Sequence, residues 1–241
     1  MKLAIMQPYF LPYLGYFQLM SAVDKFVIFD DVNYIQRGWI NRNRILLNGE
    51  AHTFTIPLVG ASQNRQICDL ELAPGPWRPK LLRTIQQAYA RAPYFHQTFE
   101  LCEQIINCDS PMLDGYILNS LELLAQRLQI GASVVTSSRV YKNSELKGQM
   151  RILDICQREQ ADVYVNAPGG AGLYSQQMFE EKAIKLLILH PEELLYQQFR
   201  DENIAGLSVL DVLMFNSVEV VKELLQKRSL VAPGAPELAG V

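Results

Sequence analysis

Two acids and three arginines share the fifteen residues 30–44, a density that invites a chemical reading. Asp30 and Asp31 close an apolar run. A carboxylate in that position holds an amine or a sugar hydroxyl, binds a metal ion or takes a proton from a nucleophile, so both are catalytic candidates. Arg37 and Arg42 offer planar forks for phosphate or carboxylate, Trp39 offers a flat face for a sugar or base, and Asn41 lies between them. The competing reading is an ion-pair network bracing a hairpin. An exposed pair contributes only about 0–1 kcal/mol, a weak structural return for so many charges.

A second group precedes it, Gln7-Pro-Tyr-Phe-Leu-Pro-Tyr-Leu-Gly-Tyr16. The Gln7 amide, the hydroxyls of Tyr9, Tyr13 and Tyr16, and the free N–H groups of a following helix suit a phosphate or carboxylate. A proline-fixed turn covered with aromatics is the alternative. A third group is Tyr164-Val-Asn-Ala-Pro-Gly-Gly-Ala-Gly-Leu-Tyr174, where Asn166, Gly169, Gly170 and Tyr174 are binding candidates. Its glycines permit close backbone approach to a ligand or simply a flexible turn. The run is neither G-x-G-x-x-G nor a P-loop. Ser208 and Asp211 have capping-box spacing, which favours a structural role.

Other chemistries find little support. His52, His96 and His190 are scattered and match no metal-binding pattern, and no G-x-S-x-G elbow or cysteine–histidine signature occurs. Cys68, Cys102, Cys108 and Cys156 form no C-x-x-C pair and read as reduced thiols. No cofactor is signalled.

These groups need a frame that brings them together. Apolar runs at 2–6, Lys25–Phe29, 133–136, 162–165 and 184–189 read as buried strands. Helical patterns at 13–23 (Leu14, Phe17 and Met20 on one face), 146–159 and 173–182 alternate with them. The expected architecture is α/β, a mostly parallel doubly wound sheet of Rossmann-like, nucleotidyltransferase-like type. Residues 44–58 read as an inserted antiparallel hairpin turning on Asn48-Gly49. Residues 66–72 could add a third antiparallel strand, so the insertion is set at 44–72. The segment 78–130 reads as a helical cap, with helices closing the chain at 208–215 and 217–227. A single domain over 1–230 and a flexible tail at 231–241 follow. In such a sheet Gln7, Asp30 and the glycine loop fall on one carboxyl edge, where open α/β proteins bind ligands.

Composition narrows the classes. An apolar fraction of 49% with 20% charged residues is that of an ordinary globular protein. A net charge of −3 argues against an electrostatically driven nucleic-acid binder. No run approaches the ~20 apolar residues of a membrane span, and the N-terminal strand lacks the long apolar core of a signal peptide. The expectation is a cytoplasmic protein without membrane insertion and without nucleic acid, with a small anionic molecule as the substrate its loops suit. Oligomeric state is not legible.

Phe10-Leu-Pro-Tyr-Leu-Gly-Tyr16 also resembles the Pro-x-His-x-Gly-His loop of nucleotidyltransferases and class I aminoacyl-tRNA synthetases. Pro12 and Gly15 match, but Tyr13 and Tyr16 replace both histidines. A wider pattern runs through Gln7-Pro-Tyr-Phe, Pro12-Tyr-Leu-Gly-Tyr-Phe17, Asp30-Asp-Val, Gly38-Trp-Ile-Asn-Arg-Asn-Arg44, Trp77, Lys80, Ala88-Tyr, Ala92-Pro-Tyr-Phe95 and Leu207-Ser-Val-Leu-Asp211. Over residues 1–228 it resembles the WbqC-like protein family. That resemblance implies a role in bacterial O-antigen or other surface-polysaccharide clusters, with acyl or aminoacyl transfer to a nucleotide-linked or amino sugar. It carries no catalytic residues with it. A nucleotidyltransferase or ATP-dependent ligase, and a non-catalytic binding or scaffold protein, stand as alternatives.

Overall fold

Alternation of side chains across short apolar strands lets one sheet feed two cores in the computed structural model, which describes residues 1–199 and 203–234. In chain order the first elements are β1 (Lys2–Met6), α1 (Leu14–Ser21), β2 (Lys25–Ile28), β3 (Arg42–Leu47), β4 (Glu50–Thr55), β5 (Leu58–Val59) and β6 (Glu71–Leu72). Three helices follow, α2 (Trp77–Tyr89), α3 (Phe95–Ile106) and α4 (Leu113–Arg127). The chain continues through β7 (Ser133–Val135), α5 (Gly148–Arg158), β8 (Val163–Asn166), α6 (Gln176–Glu180) and β9 (Lys185–Pro191). It closes with α7 (Val209–Phe215), α8 (Val218–Gln226) and β10 (Arg228–Val231).

The central sheet is mixed but mostly parallel, six strands in the order β10-β9-β8-β1-β2-β7. Among the described residues of this sheet, only the β9–β10 pairing is antiparallel. Leu3, Ile5 and Val27 point to a core with Ile152, Ile155 and Phe179, whereas Ala4, Phe26 and Ile28 point to a larger core on the opposite face. From β1 the chain builds outward through β2 and β7 on one side, then through β8 and β9 on the other. The winding therefore reverses between β1 and β8. Loops leaving the carboxyl ends of those two strands diverge and open a crevice.

The hairpin turns on Asn48 and Gly49 (φ 55° and 79°), as a type I′ turn requires. Residues 66–72 do not extend it. Ile67–Asp69 forms a 3-10 turn, and β6 pairs with β5 in a separate ribbon. The expected amphipathic helix at 13–23 is instead buried on every side from Leu14 to Met20, Gln18 included. The segment 78–130 is no detached cap: α2 to α4 pack with the hairpin and α7 in the larger core. The glycine loop winds into a 3-10 turn, Pro168–Leu173, which shortens the helix expected at 173–182 to α6. The start of the expected tail belongs to β10, and residues 235–241 lie outside the described residues. Among the described residues no helix is long and apolar enough to cross a membrane.

Candidate functional site

At the crevice between β1 and β8 lies a cleft of about 720 Å³. The loop after β1 contributes Gln7, Tyr9 and Tyr13, and the loop after β8 contributes Asn166, Gly169, Gly170 and Tyr174. Trp39 and Arg44 reach it from the hairpin side. Two of the three groups expected from the sequence thus share one wall-to-wall site, and Trp39 joins them.

The first loop is held in a strained shape. Leu11 adopts φ 46°, a left-handed conformation that costs a non-glycine residue roughly 1–2 kcal/mol. Its carbonyl accepts hydrogen bonds from Asn43 Nδ2 at 2.8 Å and Ser208 Oγ at 2.7 Å. Val209 N–H donates to the Pro12 carbonyl at 2.8 Å. The hairpin and the start of α7 therefore clamp the loop that carries Gln7, Tyr9 and Tyr13. Ser208 also caps α7, accepting from Leu210 N–H at 3.3 Å. Asp211 does not complete a capping box; its buried carboxylate accepts from the Tyr89 and Tyr196 hydroxyls, each at 2.7 Å, and from Gln198 at 2.8 Å.

The cleft's donors are neutral apart from one. Burial raises the Tyr9 and Tyr13 hydroxyls above the ordinary tyrosine range, and proximity to Tyr13 adds to the effect at Tyr9. Both stay protonated at neutral pH. Tyr16 is buried behind them and spends its proton on the Gln7 carbonyl at 3.1 Å, so it positions the loop and does not face the cleft. Tyr13 folds its ring over Gly15, where a Cβ would sit 2.3 Å from the ring edge.

Arg44 is the single ionic side chain lining the cleft among the described residues. Its Nη2 donates to the Gly206 carbonyl at 3.0 Å, and its Nε is buried without a partner among the described residues. Gly206 has φ +68°, and a Cβ there would lie 2.9 Å from Nη2, so glycine is what lets the guanidinium lie against the backbone. Arg42 and Arg44 both lie over the Trp39 ring, 5.4 and 5.5 Å from its centroid. Arg42 itself braces the preceding turn, donating to the Gly38 carbonyl at 2.8 Å and to the Arg37 carbonyl. Arg37 is exposed with φ 59°. Asn41 is buried, accepting from Tyr34 at 2.8 Å and donating to the Ile56 carbonyl at 2.7 Å. Arg37, Asn41 and Arg42 stand outside the cleft.

The two aspartates part company. Asp30 is 1% exposed, and its oxygens accept from Ser137 Oγ at 2.9 and 2.8 Å and from Ser138 N–H at 3.0 Å, with Arg139 at 3.3 Å. Asp31 lines a second pocket of about 460 Å³ that shares Phe29, Ile152, Leu173 and Tyr174 with the cleft. Its Oδ2 pairs with buried Arg151 at 2.6 Å, and its Oδ1 meets the Ser138 hydroxyl. Arg151 is held in turn by Asn143 at 2.9 Å and lies 4.8 Å over the Phe29 ring. Asp31 is therefore the carboxylate of the pocket adjoining the cleft, and Asp30 anchors the loop behind it.

Sequence reasoning counted Arg44 among the three arginines without singling it out, and passed over Gly206, Ser138 and Arg151. Strand alternation puts Arg42 and Arg44 on one face of β3, a signal that could have marked Arg44; Arg151 carried none. Among the described residues no three His, Cys, Asp or Glu side chains gather as a metal site. The four thiols are unpaired, and burial pushes Cys68 up to about 11 and Cys156 up to about 12.

Against known proteins, the description of the WbqC-like protein family matches residues 7–223. The chain is also similar to "Uncharacterized protein Rv1507c" of Mycobacterium tuberculosis, with 28% identity over 187 residues, 77% of this chain and 80% of that protein. No solved structure matches.

Proposed function

The chain belongs to the WbqC-like protein family, and from that premise we propose a cytoplasmic transferase of surface-polysaccharide biosynthesis, acting on a nucleotide-linked or amino sugar. In this reading an acyl or aminoacyl group moves to the sugar on a Rossmann-like scaffold. The observation that carries the binding half is Arg44. The one cation lining the cleft among the described residues, its guanidinium is matched to an anionic ligand amid otherwise neutral walls. Gln7, Tyr9, Tyr13 and the Asn166 amide add neutral hydrogen bonds, the Gly169–Gly170 backbone permits close approach, and Trp39 offers a ring face. Asp31, with both oxygens fixed by Arg151 and Ser138, orients the acceptor amine or hydroxyl.

The nucleotidyltransferase reading fares less well on the same geometry. Tyr16, where a phosphate-binding histidine would stand, is buried and committed to a backbone carbonyl. A purely scaffolding role leaves a 720 Å³ cleft without a purpose.

The test has two parts. Titration with uridine diphosphate and its amino-sugar conjugate should show saturable binding that weakens about tenfold in Arg44→Ala, the loss expected for one charge-assisted hydrogen bond. Mass spectrometry of the conjugate incubated with acyl and aminoacyl donors should show a mass gain that Asp31→Asn abolishes. Binding and turnover that survive both substitutions would overturn the assignment.

A further inference from the structure

The pocket of about 460 Å³ adjoining the cleft has a chemistry of its own, of which the reading above uses only the Asp31–Arg151 pair. Its ionic side chains are Asp31, Lys147 and Arg151, one carboxylate against two cations. The deeper polar groups are committed within the protein. Arg151 gives Nη2 to Asp31 Oδ2 at 2.6 Å, Nη1 to the Asp31 carbonyl at 3.2 Å and Nε to Asn143 at 2.9 Å. Gln149 is engaged at both ends, accepting from Ser175 N–H at 2.5 Å and donating to Met178 Sδ at 2.6 Å.

What the pocket still offers a ligand is one accessible cation and apolar surface. Lys147 is exposed and donates to the Ser144 carbonyl at 2.9 Å, which leaves two of the three N–H donors of its ammonium group. Phe29, Val32 and Leu146 are half-buried and Leu173 is 70% exposed, although all four line the same hollow. Large apolar side chains left in water around a concavity are surface that a ligand's own apolar part would cover favourably. The charges set the sign of the polar part. An ammonium group would meet two cations, and the carboxylate that could offset them is already paired with Arg151. An anionic group meets Lys147.

We propose that this pocket binds a short aliphatic chain carrying a single anionic group. Lys147 takes the anionic head, and Val32, Leu146, Phe29 and Leu173 cover the chain. Phe29 and Leu173 also line the cleft, so the chain lies against the wall that the two hollows share. That the chain is the acyl group delivered to the sugar rests on the transferase reading; that it binds does not.

The probes are butyrate, hexanoate and octanoate, with hexylammonium as the charge-reversed control, titrated into the full chain while backbone amide shifts are followed by NMR. Saturable shifts are expected at Asn33, Gly148 and Gln149, which line this pocket and not the cleft. Affinity should rise about two- to fourfold per added methylene, the upper figure being that of full burial. Hexylammonium should bind about tenfold more weakly than hexanoate. Lys147→Gln, at an exposed position that leaves folding intact, should weaken all three carboxylates by a common factor of about three to ten and leave the chain-length slope unchanged. Leu173→Ser, also exposed, should flatten that slope. Absence of saturation, shifts centred on the Gln7 and Gly170 amides of the cleft, affinity independent of chain length, hexylammonium equal to hexanoate, or carboxylate binding that neither variant alters would overturn the proposal. Octanoate binding in a protein that ignores uridine diphosphate would sink the cleft reading alone, and the reverse result would sink this pocket alone.

Discussion

Gly170→Ala should damage the site and the fold together, and its neighbours make the controls. An alanine Cβ at 170 would lie 2.0 Å from Asn166 Nδ2, 2.8 Å from its Cγ and 3.1 Å from its Oδ1. Asn166 is 6% exposed and its Oδ1 accepts the Ala167 N–H at 2.9 Å, so the side chain cannot step aside without losing that bond. The lost bond costs about 1 kcal/mol, and residual crowding adds about 1 kcal/mol, the low end for overpacking because the clashing atoms end a rotatable side chain. For a chain of this length the sum lowers Tm by roughly 4–8 °C. Gly169 and Gly172 have nothing within 4 Å of a built Cβ and no left-handed φ. Their alanine variants should stay within about 0.5 kcal/mol of the parent. Thermal unfolding measures all three, and an Asn166→Ala background closes the cycle, since the cost of Gly170→Ala should there fall to near zero. Equal effects at 169 and 170, or a cost at 170 that persists without the Asn166 side chain, would refute the reasoning.

Two further perturbations probe the buried charges and hydroxyls. Arg151→Met strands the Asp31 carboxylate in a site where both side chains are nearly inaccessible, and should cost about 3–5 kcal/mol by denaturant unfolding. Asp31→Asn/Arg151→Met should recover much of that loss, and a double variant as unstable as the single one would contradict the pairing. Alkaline unfolding tests the tyrosines. Burial first, then neighbouring tyrosines, raises Tyr16 well above its ordinary value, and burial heads the causes for Tyr89 and Tyr164 as well. A folded pKa above the unfolded one gives stability that is full below pH 10 and is lost above it, by up to about 1.4 kcal/mol per pH unit for each tyrosine. Tyrosinate absorbance should therefore rise steeply with loss of structure, and a broad titration of a still-folded protein would be the contrary result.

Much of the fold was legible because burial writes itself into apolar runs. The five parallel strands and the Asn48-Gly49 turn follow from residue type alone. Strand order does not, since pairing partners are set by packing and leave no local mark. Arg228-Ser-Leu-Val231 was unreadable as a strand: it is short, only half-buried, and precedes Pro233-Gly234. Residues 66–72 alternate like a strand, yet Ile67 and Cys68 are buried in one 3-10 turn. The site was half legible for a related reason. Loops after β1 and β8 must share an edge, so Gln7, Tyr9, Tyr13, Asn166, Gly169, Gly170 and Tyr174 could be placed together. Adjacent residues at a strand end face opposite ways, so Asp30 and Asp31 were indistinguishable until the serines at 137 and 138 took up Asp30. Arg42 and Arg44 share a face of β3, and only the approach of Gly206 separates the brace from the cleft residue.

The most direct test of the central claim is NMR mapping of uridine diphosphate on the isotopically labelled chain. The structure predicts that the largest shifts fall on the Gln7 and Gly170 amides, the Asn166 side-chain amide and Arg44 Nε–H. An absence of shifts, or shifts gathered away from the β1–β8 crevice with Arg44 Nε–H unmoved, would contradict it.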